Sequence, residues 1–189
     1  MRRFLEIAWL LPILACGCAY VGGSNDANRR VALAELAILP FETPGAKQHA
    51  DYLQVSATEP TFALADLDAK LLFIQVFDSC CPHCQRAISS INQLYSQIET
   101  RGLQERAKVI GVGVGNTAFV LDLFRDRYAV PFPLFPDASM AKRDALGVRG
   151  VPRMIVLRQS DRGLELVKIC RSIGNSASFL DDILEHVGM

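Results

Sequence analysis

Two spacings of apolar residues alternate along the middle of the chain. Leu71 to Phe77 is a short apolar run rich in β-branched and aromatic residues, which is typical of a buried strand. After Cys84 the apolar residues recur every three or four positions, as in a helix, and Gly102 ends this pattern. Lys108 to Gly115 predicts a second apolar strand, and Thr117 opens a second helical pattern. Strand and helix therefore follow each other twice.

The alternation continues toward the C-terminus, with more breaks. The predicted elements are a short strand within 131–136, a compact helix over Ala138–Leu146, a hairpin of Met154–Leu157 and Leu164–Cys170, and a last helix capped by Ser176 or Ser178. Strands alternating with helices predict parallel strands joined by crossover helices.

The pattern before the first buried strand is weaker. Val31 to Leu39 predicts one or two helical turns, and Thr61 to Leu67 predicts a strand. Between them, Pro44-Gly45 and Pro60 predict loops with at most a short helix around Lys47 to Leu53.

The first residues have the features of an export signal, because two arginines precede a short apolar region from Ile7 to Leu14. The motif Ile-Leu-Ala-Cys ending at Cys16 resembles the lipobox of bacterial lipoproteins, which makes Cys16 the predicted lipidation site and Cys18 a second candidate. A secretory peptide cut nearby and a short uncleaved anchor are the alternatives. The predicted organisation is a signal peptide with lipobox over 1–18, a tether and N-terminal extension over 19–58, and one globular domain over 59–189.

Composition narrows the classes of function. Half of the 189 residues are apolar, which suffices for one good-sized core. Twenty basic and twenty acidic residues cancel without any block of like charge, so no nucleic-acid partner is indicated. The six cysteines are clustered rather than evenly spread, which indicates chemistry at a site instead of a disulfide framework.

The segment Cys81-Pro82-His83-Cys84 lies where the first strand passes into the first helix. Pro82 fits the first helical position, so Cys81 falls at the helix N-terminus, where unpaired N–H groups and the helix dipole stabilise a thiolate. His83 adds a positive charge or a donor, and the motif is one in which thiol pKa values are lowered. Cys84, one turn on, is close enough to attack a mixed disulfide on Cys81. The pair is thus predicted to be a nucleophile and a resolving thiol.

With these motifs in place, residues from about Thr61 to Val187 resemble the TlpA-like branch of thioredoxin-fold proteins, the membrane-tethered periplasmic thiol-disulfide oxidoreductases. The resemblance rests on the Cys-Pro-His-Cys segment and on Gly147 to Pro152 directly before a strand. It implies an α/β thioredoxin-like fold with a central mixed sheet flanked by helices. It also implies that Pro152 is cis beside the cysteines, and that Val151 and Pro152 bind an extended segment of substrate.

The resemblance further implies a periplasmic enzyme that exchanges disulfides with exported proteins, without a cofactor or metal, and that receives electrons from a membrane donor. TlpA-like proteins are mostly reductants, which favours a disulfide reductase. The dipeptide Pro82-His83 instead matches the DsbA-type oxidases, in which the cysteine pKa is about 3.5 against about 7 in thioredoxin. The direction of electron flow therefore stays open.

Three residues depart from the pattern of the family. Gln75 stands where thioredoxins have a buried aspartate that assists proton transfer, and an amide does not titrate. Cys80 replaces the usual tryptophan and is either a third redox thiol or a partly buried bystander. Arg153 replaces a small hydroxyl residue after the proline, which indicates an altered substrate groove.

Other functions for the cysteines remain as alternatives. Cys80, Cys81, His83 and Cys84 are soft ligands, so a periplasmic copper or zinc metallochaperone is the rival function. A purely structural Cys81–Cys84 disulfide is a weaker alternative, because so small a loop gives little stabilisation. Haem attachment requires a histidine where Gln85 stands, and the arrangement that activates a peroxide in peroxiredoxins is missing.

The remaining candidates are interpreted as structural. The segment 111–116, Gly-Val-Gly-Val-Gly-Asn, is similar to a dinucleotide fingerprint, but Asn116 occupies the position of its third glycine, so small residues in a buried strand explain it better. Cys170 is predicted to be an inert core thiol. His49 and His186 are predicted to lie on the surface.

Overall fold

In a computed structural model of the chain, the structure describes residues 19–20 and 33–189. The predicted export signal, with Cys16 and Cys18, and residues 21–32 of the predicted tether and N-terminal extension lie outside these residues. Within the described part, no helix combines the length and the apolar character needed to cross a membrane.

The described residues form eight strands and five helices, and a further helical stretch over 33–38 lies between the first and second strands. The strands are β1 (Ala19–Tyr20), β2 (Pro40–Glu42), β3 (Thr61–Ala63), β4 (Leu71–Phe77), β5 (Ala107–Val114), β6 (Leu134–Asp137), β7 (Arg153–Ser160) and β8 (Gly163–Cys170). The helices are α1 (Lys47–Leu53), α2 (Pro82–Thr100), α3 (Ala118–Tyr128), α4 (Ala141–Ala145) and α5 (Ser176–Val187), and a 3-10 turn covers Leu64–Asp66.

The main sheet has six strands in the order β1-β8-β7-β4-β5-β6, while β2 and β3 form a separate antiparallel pair. Strands β4, β5 and β6 are parallel, whereas β7 runs antiparallel to β4, β8 to β7 and β1 to β8. The predicted mixed sheet of a thioredoxin-like fold is confirmed. Since the carboxyl ends of β4, β5 and β6 meet at one edge, the loops after these strands lie near each other there.

Strand β4 lies at the centre of the sheet, and all seven of its residues are buried. Leu71, Phe73 and Phe77 face a first core beneath α2 and α5, while Leu72, Ile74 and Val76 face a second core on the other side. Burial on both faces explains why the run is continuously apolar instead of alternating.

The N-terminal segment builds the second core. Leu36, Phe41, Leu53 and Phe62 are all buried there, and the rings of Phe41 and Phe135 meet edge to face with their centroids 5.2 Å apart. Helix α1 has the predicted bounds, but the loops around it cover one face of the sheet. Sequence patterning did not indicate this packing.

Several boundaries differ from prediction, among them the end of β7, which lies at Ser160 instead of Leu157. Strand β3 stops at Ala63, and the chain turns into the 3-10 stretch. Helix α4 is shorter than predicted because buried Asp137, at the end of β6, accepts hydrogen bonds from Lys142 N and Arg143 N at 2.9 Å and fixes the helix start there. The last helix is capped by Asn175, not by Ser176 or Ser178: its Oδ1 accepts a hydrogen bond from Ser178 N at 3.0 Å.

Candidate active site

The two cysteines of the predicted site lie at the start of α2, beyond the carboxyl end of β4. Cys81 is the N-cap residue in extended conformation, and Pro82 is the first helical residue. Gln85 N donates to Cys81 O at 3.0 Å, which begins the helical ladder. The missing N–H of Pro82 costs nothing at this position, since the first N–H groups of a helix have no partner within it.

The Cys81 thiol is half-buried and packs against the first core. Burial alone raises its pKa, but the backbone N–H of Cys84, the thiol of Cys84 and the backbone N–H of His83 together outweigh burial. The pKa of Cys81 therefore lies below its ordinary value, although the negative charge of Asp78 opposes the shift. The residue thus reaches the thiolate, its nucleophilic form, more readily than a free cysteine.

Cys84 has the opposite environment, three residues away. Its side chain is only 2% exposed and belongs to the first core, on the same helix face as Ile88 and Ile91. The pKa of Cys84 is raised to about 12, mainly by burial and also by a hydrogen bond to the Cys81 sulfur and the charge of Cys81, although a backbone hydrogen bond at Asp78 acts in the opposite direction. Cys84 thus remains a thiol and donates to Cys81.

Asn116, after β5, holds the loop that carries the thiols. Its Oδ1 accepts a hydrogen bond from Ser79 N at 3.0 Å, and its Nδ2 donates to Asp78 Oδ1 at 3.3 Å. Asp78 also accepts from Cys80 N at 3.0 Å, and Gln85 Nε2 donates to Ser79 O at 2.8 Å. These contacts fix the path from β4 to Cys81. Sequence analysis missed the role of Asn116; the available signal was a polar residue two positions after the end of a strand parallel to β4.

His83 is exposed, and its Nδ1 lies 2.9 Å from Arg86 Nη2. Arginine has donors but no acceptor, so in this contact Nδ1 accepts the hydrogen bond. Arg86 thus adds a positive charge beside the motif. The backbone N–H of His83, not its ring, acts on the Cys81 sulfur.

The peptide bond between Val151 and Pro152 is cis, as the resemblance implied. Val151 is half-buried and packs against both cores, and Cys81 packs against the first of them. Val151 lies outside the ladder of β7, which begins at Arg153. The structure therefore brings the predicted substrate-binding residues to the edge that carries the thiols.

Gln75 is buried on the first-core side of β4, where its neighbours in the strand are Phe73 and Phe77. A cavity of about 20 Å³ touches it, together with Ser90 and Arg171, and this volume has room for one water molecule. The position that holds an acid in thioredoxins is thus neutral and next to a small cavity.

The other candidates fall outside the pair. Cys80 is exposed instead of partly buried, and Cys170 is buried as predicted. His186 is exposed as predicted, but His49 is 4% exposed, which corrects its predicted surface position. Burial lowers the pKa of His49, and the charge of Arg125 lowers it further.

The structure does not favour the metal-binding alternative. In the part of the chain that the structure describes, no three side chains of histidine, cysteine, aspartate or glutamate come together as a set that could hold a metal ion.

Gly111 and Gly113 are small because neighbouring side chains approach β5 closely. A Cβ on Gly111 would lie 2.5 Å from Leu134 Cδ2, and one on Gly113 would lie 2.5 Å from Leu121 Cδ2. The structural interpretation of the 111–116 segment thus has a direct cause, and the dinucleotide alternative is not needed.

Comparisons with known proteins agree with this geometry. Residues 42–160 match the model of the AhpC/TSA family. The thiol-disulfide oxidoreductase ResA of Halalkalibacterium halodurans is 23% identical over 187 residues, which cover 98% of this chain and 96% of the relative.

Two solved structures share the fold at low identity. A secreted disulfide oxidoreductase of Mycobacterium tuberculosis, homologous to Escherichia coli DsbE, superposes with a TM-score of 0.55 at 15% identity, covering 82% of this chain and 98% of that one. StoA from Bacillus subtilis superposes with a TM-score of 0.55 at 13% identity, covering 78% and 96%. Since the family match covers more than half of the sequence, the chain belongs to the AhpC/TSA family and has a thioredoxin-like fold.

Proposed function

We propose that this chain exchanges disulfides with exported proteins through Cys81 as the nucleophile and Cys84 as the resolving thiol. That the protein is a thiol-disulfide oxidoreductase follows from its family and its ResA relatives. The residue roles rest on one observation: a half-exposed thiol of lowered pKa beside a buried thiol whose pKa is raised to about 12. Cys81 is thereby accessible and ionises readily, whereas Cys84 stays buried and protonated until a mixed disulfide forms on Cys81.

In the reductive direction, the Cys81 thiolate attacks one sulfur of a substrate disulfide. A bond forms between Cys81 and that sulfur, and the other substrate sulfur leaves as a thiolate that takes a proton from solvent. Cys84 then loses its proton and attacks the sulfur of Cys81. The second substrate sulfur leaves as a thiolate and takes up a proton. Two electrons have then passed from the cysteine pair to the substrate. An external dithiol restores the pair by the same exchange.

We propose reduction as the working direction, on the strength of the TlpA-like resemblance. The lowered pKa of Cys81 acts against it, because stabilising the thiolate stabilises the reduced form and makes the couple more oxidising. The reduction potential of the Cys81/Cys84 couple in the full chain, equilibrated against glutathione or dithiothreitol, decides between the two. A reduction potential of about −270 mV, as in thioredoxin, supports a reductase. A reduction potential of about −120 mV, as in DsbA, identifies an oxidase.

Export and lipid anchoring at Cys16 complete the proposal. They are supported by the signal-like residues and the Ile-Leu-Ala-Cys motif. A fatty-acid probe supplied to cells is expected to label the wild-type chain and to spare Cys16→Ala. Equal labelling of both proteins rules out Cys16 as the lipid site.

Trapping of intermediates tests the residue roles. Cys84→Ser is expected to accumulate a mixed disulfide through Cys81, because the attack that releases the substrate is lost. Cys81→Ser is expected to lose disulfide exchange, and Cys80→Ser is the matched control with an adjacent, exposed thiol removed. The proposal fails if Cys81→Ser keeps normal turnover, or if Cys84→Ser traps no partner while Cys80→Ser does.

A further inference from the structure

A groove of about 470 Å³ runs between the first turns of α2 and the segment that contains the cis proline. Its lining includes His83, Arg86, Val151, Pro152, Arg153 and Arg171. Val151 and Pro152 are the residues to which the family resemblance assigns substrate binding, and we adopt that assignment here as a proposal. We call this feature the basic groove, because its lining includes three arginines and a histidine but no carboxylate.

The arginines of the basic groove are not neutralised by the protein. Within residues 33–189, no carboxylate oxygen lies within 4.0 Å of a guanidinium nitrogen of Arg86, Arg153 or Arg171. Arginines elsewhere do form such pairs, for example Arg125 with Asp122 at 2.8 Å and Arg143 with Asp144 at 2.7 Å. This excess of positive charge is local to the groove, since the whole chain has equal numbers of basic and acidic residues.

Most donors of these three side chains also remain available. Arg86 is hydrogen-bonded to His83 Nδ1, and Arg153 Nη1 donates to Pro152 O at 2.9 Å. The exposed Arg171 makes no hydrogen bond or ion pair with any other described residue. A guanidinium carries five N–H donors in a planar fork that matches a carboxylate, so each arginine retains donors for a ligand.

The acid that acts on the thiols does not compensate these charges. Asp78 acts on the thiols, but its Oδ1 already accepts hydrogen bonds from Cys80 N and Asn116 Nδ2. It is also not among the residues that line the basic groove. A negative group entering the groove therefore meets several positive charges and no fixed negative one.

We infer that the basic groove selects an extended polypeptide segment that carries aspartate or glutamate within a few residues of its reactive cysteine. A polypeptide fits better than a free anion, because Val151 precedes the β7 ladder and the sheet does not use its backbone groups, which leaves them for an extended chain. The inference rests on the proposed function and names the substrate class of the same site.

Matched peptides test this inference with the reduced full chain. Three short peptides carry one cysteine as a mixed disulfide with the neutral leaving group 2-thiopyridine, flanked by glutamate, glutamine or lysine. The second-order rate of thiopyridone release is expected to be about tenfold higher for the glutamate peptide than for the glutamine peptide, and lowest for the lysine peptide. At 0.5 M salt the difference is expected to shrink, because exposed charges are screened.

Variants assign the preference to the groove. The triple variant Arg86→Gln, Arg153→Gln, Arg171→Gln is expected to lose the glutamate preference, so that the ratio of the glutamate-peptide rate to the glutamine-peptide rate falls to about one. A second triple variant, Arg106→Gln, Arg127→Gln, Arg162→Gln, makes the same change of net charge elsewhere and is expected to keep the preference.

The outcomes separate the two proposals. If none of the peptides reacts, the proposed function fails. If all three react at equal rates, or if both triple variants behave alike, only the acidic preference is overturned. Glutathione disulfide, a small anionic substrate, completes the test. If it reacts at least as fast as the glutamate peptide and depends on the groove arginines in the same way, the assignment to a polypeptide segment is overturned.

Discussion

The two cysteines of the motif belong to regions of the molecule with opposite physical character. Cys81 lies on the exposed side, beyond the end of the sheet, near the basic groove. Cys84 lies on the buried side, in the apolar stripe of α2 with Ile88 and Ile91. Three residues of helix separate a charged surface from the first core. The pKa values of Cys81 and Cys84 differ because the two thiols lie on these two sides. The position of the motif at the helix start predicts different roles for the two cysteines, and the burial of Cys84 in the fold adds the difference in pKa between the sulfurs.

The sharpest test of this contrast is alkylation of the reduced full chain in a Cys80→Ser background. A thiol of pKa about 12 is ~10⁻⁵ ionised at pH 7, whereas Cys81 has a pKa below the ordinary value. Iodoacetamide is therefore expected to modify Cys81 at least about 10³-fold faster than Cys84. The Cys81 rate should level off at a pH below the ordinary titration of a thiol, and the Cys84 rate should still rise at pH 10. Mass spectrometry of peptides measures both, and comparable rates at pH 7 would contradict the contrast.

Damage to the buried side is expected to change stability without changing reactivity. Ile91 is 2% exposed in the first core, so Ile91→Ala is expected to cost about 2–5 kcal/mol in the free energy of unfolding. Urea denaturation measures this loss. The native rate of Cys81 alkylation should stay within about twofold, because Ile91 does not act on that sulfur. Ser89→Ala, on the exposed face of the same helix, is the control and should stay within about 0.5 kcal/mol.

Damage to the loop that carries Cys81 is expected to change both stability and reactivity. Asn116→Ala leaves the buried N–H of Ser79 without its acceptor, at a cost of about 1–3 kcal/mol. It also releases the loop before Cys81, so the pH at which Cys81 alkylation levels off should move upward. Asn175→Ala is the matched control, since it removes the cap of α5 at a cost of about 0.5–2 kcal/mol, away from the thiols. An unchanged Cys81 profile in Asn116→Ala would show that the loop does not depend on this residue.

The local pattern of apolar residues was sufficient to predict the elements of the buried side. The helical spacing that starts at Cys84 predicts which face of α2 is buried, and the continuous apolar run over Leu71–Phe77 predicts a central strand. Both features depend on residues that are close in sequence. For the same reason, the position of Cys81 before a proline located the helix start.

Contacts between distant segments account for what sequence analysis missed. Asn116 reaches the loop only because β5 pairs with β4 in parallel, and Arg171 joins Arg86 in one groove across 85 positions of sequence. The burial of His49 likewise depends on how the N-terminal segment covers the second core. The cap at Asn175 is different, because asparagine directly before the helix was a local signal for it.

The smallest expected effect concerns Gln75, the polar residue of the buried side. Its amide does not titrate and makes no side-chain hydrogen bond with another described residue, so it has no proton to exchange when Cys84 attacks. Gln75→Met nearly conserves the volume and is expected to change the free energy of unfolding by less than about 1.5 kcal/mol. Stopped-flow measurement of the two steps, attack by Cys81 and release by Cys84, should find each within about threefold of the wild type. A tenfold slower release with normal attack would instead show that the proton of Cys84 leaves through Gln75 and the cavity beside it, and the buried side would then take part in the chemistry beyond holding a thiol.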